Sequence, residues 1–158
     1  MPGSRRRAGE RLRDHTVATI EQRTWRLAEA EDWRAIQIRE ELGLRALLAT
    51  DYHQLGNTAY LRGRLDEAED WYRKALTINE ELRDRPGMAR TYAQLGLLAE
   101  ARGQAPLALQ WNIQCVTLFD QFPSPMTGTG PTALARLTHQ LGMPALEQAW
   151  QQDGCSAC

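Results

Sequence analysis

The chain has 158 residues, 42% of them apolar and 25% charged, and its formal net charge is −1. That suffices for one domain with a real core. The near-neutral balance excludes the strongly basic surface that general nucleic-acid attraction requires, and no apolar run approaches the ~20 residues of a bilayer span.

The N-terminus carries Arg5, Arg6, Arg7, Arg11 and Arg13 against Glu10. Ends of this kind are more often solubilising than functional. Ser4-Arg5-Arg6 lacks the apolar segment that would make it a twin-arginine signal. Residues 1–24 therefore read as a basic arm entering a degenerate first helix, and the chain as cytoplasmic. Its basic residues include one lysine, Lys74, a bias that fits a GC-rich bacterial genome. Three cysteines make no disulfide framework and suit a reducing compartment.

From residue 25 the chain repeats itself. Tyr52 aligns with Tyr92, Gln54 with Gln94, Leu55-Gly56 with Leu95-Gly96, Arg62-Gly63 with Arg102-Gly103, Ala68 with Ala108 and Trp71 with Trp111, all 40 residues apart without a gap. An earlier, shorter copy places Leu27, Ala30 and Trp33 38 residues before Leu65, Ala68 and Trp71. Two helical periods make each unit. Tyr52, Leu55, Gly56 and Ala59 follow i, i+3, i+4, i+7, and Ala68, Trp71, Tyr72, Ala75, Ile78 and Leu82 form the second stripe. Gly63 punctuates them, and Asp84-Arg85-Pro86-Gly87 closes the unit with a proline suited to a helix's first turn. Gly56 and Gly96 would each cost a lone helix ~1 kcal/mol against alanine, so their small size predicts closely approaching helices. The tryptophans at 33, 71, 111 and 150 fall at core spacing.

After the second full unit, residues 123–130 form a Pro/Gly-rich linker that breaks the rhythm. Leu134, Leu137 and Leu141 then stripe one short helix, with Leu146, Ala149 and Trp150 on another. Residues 131–152 read as a helical cap, and 153–158 as a disordered tail.

The phrases "YHQLGNTAYLRGRLDEAEDWYRKALTINEELRDRPGMARTYAQLG" and "AEARGQAPLALQW" resemble the tetratricopeptide repeat in a long, 40-residue variant. Similar arrays occur in actinobacterial signalling proteins and in kinesin light chain and Pins-type adaptors. The resemblance covers residues 25–122 and implies an all-α, right-handed superhelical solenoid of antiparallel helix pairs, about three repeats plus the cap. It also implies a concave groove lined by the first helix of each pair, holding a peptide segment of another protein. At ~100° per residue, Thr50, His53, Asn57 and Tyr60 share one such face, and Arg90, Ala93, Leu97 and Glu100 the next, with Gln54 and Gln94 at the edge. Side-chain amides supply donor and acceptor to a peptide backbone, and arginine supplies a fork for a carboxylate. By position, Asn57, Gln94 and Arg90 match those roles. The lysine-rich clamp for chaperone tails is unmatched, because His53 stands where a lysine belongs.

Catalytic and cofactor readings are weaker. Cys155 and Cys158 are spaced as C-x-x-C, but zinc needs about four ligands and neither Cys115 nor His139 stands at ligand spacing. Cys115 aligns with Ala75, a packing site. Thr127 to Ala133 places glycines before a helix, yet no Lys-Ser/Thr follows and no strand precedes. The acidic run Asp66, Glu67, Glu69, Asp70 begins a helix, where negative charge complements the dipole. An enzyme would need a site built from groove groups such as His53 and Glu100. The expected function is a non-enzymatic adaptor with no metal or cofactor, whose partner is a protein or peptide and neither nucleic acid nor membrane. The alternative is a regulatory array, derived from a larger signalling ATPase or transcription regulator, that pairs with a second copy of itself.

Overall fold

The computed structural model describes residues 19, 22–24, 26, 27, 30–119 and 129–153. All of these are helical except for short turns. Helix α1 runs over 30–41, with the earlier described residues helical ahead of it. The others are α2 (Arg45–Leu61), α3 (Leu65–Leu82), α4 (Arg85–Ala101), α5 (Ala105–Phe119), α6 (Thr129–Leu141) and α7 (Met143–Asp153). Helices α2 with α3, and α4 with α5, form the most extensive contacts; α3 against α4 joins the pairs, and α5 packs on both α6 and α7. The expected all-α stack of helix pairs is therefore present. Helix α6 starts two residues before the expected cap, while 120–128, 154–158 and most of the basic arm lie outside the described residues.

Local chemistry accounts for the helix ends. Asp66 and Glu67 occupy the first turn of α3, where they complement the helix dipole. Asp84 caps α4 by accepting from the Gly87 backbone N–H at 3.2 Å, and Pro86 sits in the first turn. Gly63 and Gly103, 40 residues apart, both turn at φ +72° between the helices of a pair. The turn between pairs uses Gly43 at φ +67° after α1, but Arg83 at φ 55° after α3. A non-glycine residue there costs roughly 1–2 kcal/mol.

Close approach within each pair centres on the two repeated glycines. A Cβ on Gly56 would lie 2.5 Å from the Tyr72 ring, and one on Gly96 would lie 2.6 Å from Asn112 Nδ2. Tyr72 is fully buried, and its hydroxyl donates to Asn57 Oδ1 across the pair at 2.8 Å. Burial, with Tyr60 nearby, holds that hydroxyl well above the ordinary tyrosine range. The linker glycine Gly130 repeats the device: a Cβ there would meet Cys115 Sγ at 2.9 Å. Cys115 is buried, as its alignment with Ala75 implied, and burial pushes its thiol up to about 11.

Joints between units repeat as well. Tyr52 stacks on Trp71 at 5.5 Å and donates to Glu40 at 3.0 Å; Tyr92 stacks on Trp111 at 5.8 Å and donates to Glu80 at 3.4 Å. In each case the glutamate belongs to the preceding helix, so one tyrosine ties three helices. The lone lysine, Lys74, caps the first stack with Nζ 4.1 Å from the Trp71 ring centroid. Arg102 reaches back to α3, pairing with Asp66 at 2.6 Å and with Glu69. That hydrogen bond from Arg102, rather than the helix dipole, is the main influence holding the Glu69 carboxyl below its ordinary range.

Two of the four tryptophans at that spacing depart from the expected core role. Trp33 is 46% exposed, its edge on Trp71 at 5.3 Å, and Trp150 is 44% exposed. Both belong to terminal helices, where a further helix to cover the ring is missing among the described residues.

A mid-helix Gly→Ala change ordinarily stabilises by about 1 kcal/mol. Gly56→Ala is expected to do the reverse, lowering the unfolding free energy by about 1–3 kcal/mol, because the buried Tyr72 ring has nowhere to retreat. Urea denaturation of the two proteins measures the sign.

Candidate peptide-binding face

Helices α2 and α4 are the first members of their pairs, and they touch. Their outward stripes correspond at the 40-residue repeat. On α2, Thr50 and Gln54 are exposed and Asn57 is half-buried; on α4, Arg90 is exposed and Gln94 and Leu97 are half-buried. Apolar, amide and guanidinium groups therefore alternate across one open surface. Thr50 directs its hydroxyl to the Ala46 carbonyl at 3.3 Å. Tyr60 is half-buried and packs against the core, so only part of its ring remains on this face.

Asn57 has two commitments. Its Oδ1 accepts from Tyr72, and its Nδ2 donates to Gln54 Oε1 at 3.3 Å. One further N–H and one lone pair remain for a ligand. Gln54, assigned only to the edge of the groove by helical stepping, is the more accessible amide. Glu100 is also engaged, in an ion pair with Arg136 of α6. It joins the array to the cap rather than standing free. No sequence signal marks Arg136 as its partner, because the linker breaks the 40-residue rhythm before α6.

His53 is not on the open surface. It is 4% exposed, its ring lies 5.5 Å from that of Tyr72, and Nδ1 is buried without a hydrogen-bond partner. Burial, then the positive charge of Arg90, lowers its pKa to about 4, so the imidazole is neutral at pH 7. Helical stepping put it beside the buried stripe, and the wide Tyr72 ring extends that stripe far enough to cover it.

Two cavities lie elsewhere. One of about 420 Å³ opens between the α1–α2 turn and α3, beside Tyr52, Lys74 and Glu81. Another, of about 150 Å³, sits under Trp33 and Trp71. Both are lined by the aromatic joints already described. Among the described residues, no helix is long and apolar enough to cross a membrane.

The lowered pKa of His53 has a consequence for stability. A base whose folded pKa falls below its unfolded value of about 6.5 stabilises the fold above that value. The contribution is lost as pH falls from there toward 4. Between pH 7.5 and pH 5 the wild-type protein is expected to lose about 2 kcal/mol through this group. His53→Phe, which keeps a ring and cannot titrate, should lose correspondingly less in parallel denaturation curves.

Comparison with known proteins agrees with this architecture. No curated protein matches the chain in sequence. The profile of the tetratricopeptide repeat matches two overlapping stretches, residues 14–81 and 47–121. Together these span more than half of the chain and include α1 through α5. With helix pairs packed as described over the matched residues, the chain belongs to the tetratricopeptide-repeat family.

Proposed function

We propose that this chain is a non-enzymatic adaptor that binds an extended, acid-bearing peptide segment of another protein along the α2–α4 face. The observation that carries this reading is the repetition of accessible hydrogen-bonding side chains across two adjacent helices, Thr50 and Gln54 on one, Arg90 and Gln94 on the other. Tetratricopeptide repeats generally mediate protein–protein interaction, and a stack of first helices offers a surface longer than any pocket. Gln54 and Gln94 supply paired donors and acceptors for peptide backbone. Arg90 is exposed and unburdened by any ion pair among the described residues, so its fork is available for a carboxylate. Leu97 and the exposed part of Tyr60 supply apolar contact. The two groups from which an enzyme site would have to be built are otherwise engaged: His53 is buried and neutral, and Glu100 is paired to Arg136.

Peptide display against the full chain tests this reading. Wild type is expected to enrich peptides carrying Asp or Glu, and Arg90→Glu should weaken them by about tenfold or more and shift selection to basic peptides. Gln94→Ala should weaken binding without changing charge preference. Asn57 is left intact, because its removal would also release Tyr72. Unchanged selection by the Arg90 variant would rule this face out.

A further inference from the structure

We propose that the cavity between the α1–α2 turn and α3 binds a small zwitterion, taking its carboxylate on Lys74 and its ammonium on Glu40. The cavity holds about 420 Å³, within the roughly 300–1,000 Å³ of small-molecule sites. Part of its lining is apolar and buried: Leu48 is 4% exposed and Ile78 5%, with Tyr52 half-buried beside them. Gly43 borders it at the turn. A Cβ there would meet nothing within 4 Å, so the turn does not crowd the opening.

Four charged side chains line this space, two of each sign: Glu40 and Glu81, Arg45 and Lys74. Arg45 and Glu81 pair with each other, from the start of α2 to the end of α3. Glu40 and Lys74 do not pair. Glu40 accepts a hydrogen bond from the Tyr52 hydroxyl at 3.0 Å. The Lys74 ammonium lies 5.8 Å from the Tyr52 ring centroid and 4.1 Å from that of Trp71. Among the described residues neither charge has an ion-pair partner. A hydroxyl donor does not neutralise a carboxylate, and ring faces attract an ammonium without discharging it. A ligand covering the cavity takes both charges out of water, which costs free energy unless each meets its opposite. An acid alone leaves Glu40 unpaired, and an amine alone leaves Lys74 unpaired. A zwitterion satisfies both. Because the two charges flank one tyrosine instead of meeting, those of the ligand must also stand apart, as in a dipeptide with free ends or an ω-amino acid.

The repeat separates this site from the packing of the joint. At a spacing of 40 residues, Glu80, Met88, Tyr92 and Leu118 keep the carboxylate, the tyrosine and the apolar lining, and Tyr92 again stacks on a tryptophan. Gln114 stands in place of Lys74, and Arg83 in place of Gly43. Stacking tyrosine on tryptophan therefore requires neither a lysine at that position nor a bare turn. Those two differences give the first joint its unpaired cation and its open side.

Chemical-shift titration of the isotope-labelled full chain tests this at about pH 7, where carboxylates and amines are both charged. The probes are ε-aminocaproate and glycylleucine, compared with hexanoate and hexylamine, which carry one charge each. At least one zwitterion is expected to bind with a Kd below about 1 mM, and both single-charge compounds at least about tenfold more weakly. The tighter zwitterion shows whether the spacer is a peptide unit or a methylene chain. Lys74→Glu should weaken the zwitterions at least about tenfold and gain binding of hexanediamine, a switch that lost packing cannot produce. Glu40→Gln, whose amide oxygen still accepts from Tyr52, should bring hexanoate level with ε-aminocaproate. Arg90→Glu, outside the cavity, should bind these probes like wild type, so failure here and failure of the peptide reading are separable. No saturable shift with either zwitterion up to about 10 mM overturns the proposal. So does a single-charge compound that binds as tightly as the zwitterions, and so does a Lys74 variant that binds them unimpaired.

Discussion

The approach of a backbone to a ring, Gly56 of α2 against Tyr72 of α3, is the contact on which the rest of the stack depends. Without a Cβ at 56, the ring lies flat on the helix and is wholly buried. Its hydroxyl then needs a partner, since an unpaired buried hydroxyl costs about 1–3 kcal/mol. Asn57, the next residue on α2, supplies it. One small residue thereby determines the spacing of the pair, the orientation of the Asn57 amide and the burial of His53 against the same ring.

The second unit meets this constraint with different chemistry. Asn112 takes the place of Tyr72 against Gly96 and donates to the Ala108 carbonyl of its own helix at 2.8 Å. No hydroxyl crosses the pair, and position 97 is free to be leucine. The two outward stripes therefore differ: an amide held from behind on α2, a leucine on α4. Between units the tyrosine–glutamate–tryptophan joint and the Arg102 cluster keep the pairs in register. These contacts are partly exposed, so each adds modestly, and the apolar rings carry more of the burial.

Much of this was legible in the residues. The 40-residue repeat, the two stripes, the small-residue approach at Gly56 and Gly96, the Pro86 start and the packing role of Cys115 follow from helical period and side-chain size. These depend on neighbours three or four positions away, which a single strand of sequence contains. Of the candidate face, the period predicted the accessibility of Thr50 and Arg90, which are exposed, and of Asn57 and Gln94, which are half-buried. His53 and Glu100 were not placed correctly by period alone. The first lies under a ring from another helix, and the second meets an arginine 36 residues later, across a linker that destroys the register. Trp33 shows the converse, a core residue by spacing that touches Trp71 and is still nearly half exposed.

The sequence by itself determined the helices, their pairing and the unit that repeats, because all three rest on short-range periodicity and on residues too small or too rigid to serve otherwise. Only the tertiary structure decided which side of α2 is open and which polar groups are already occupied. Those properties belong to the space between helices: a side chain is buried or available according to what a distant part of the chain brings against it.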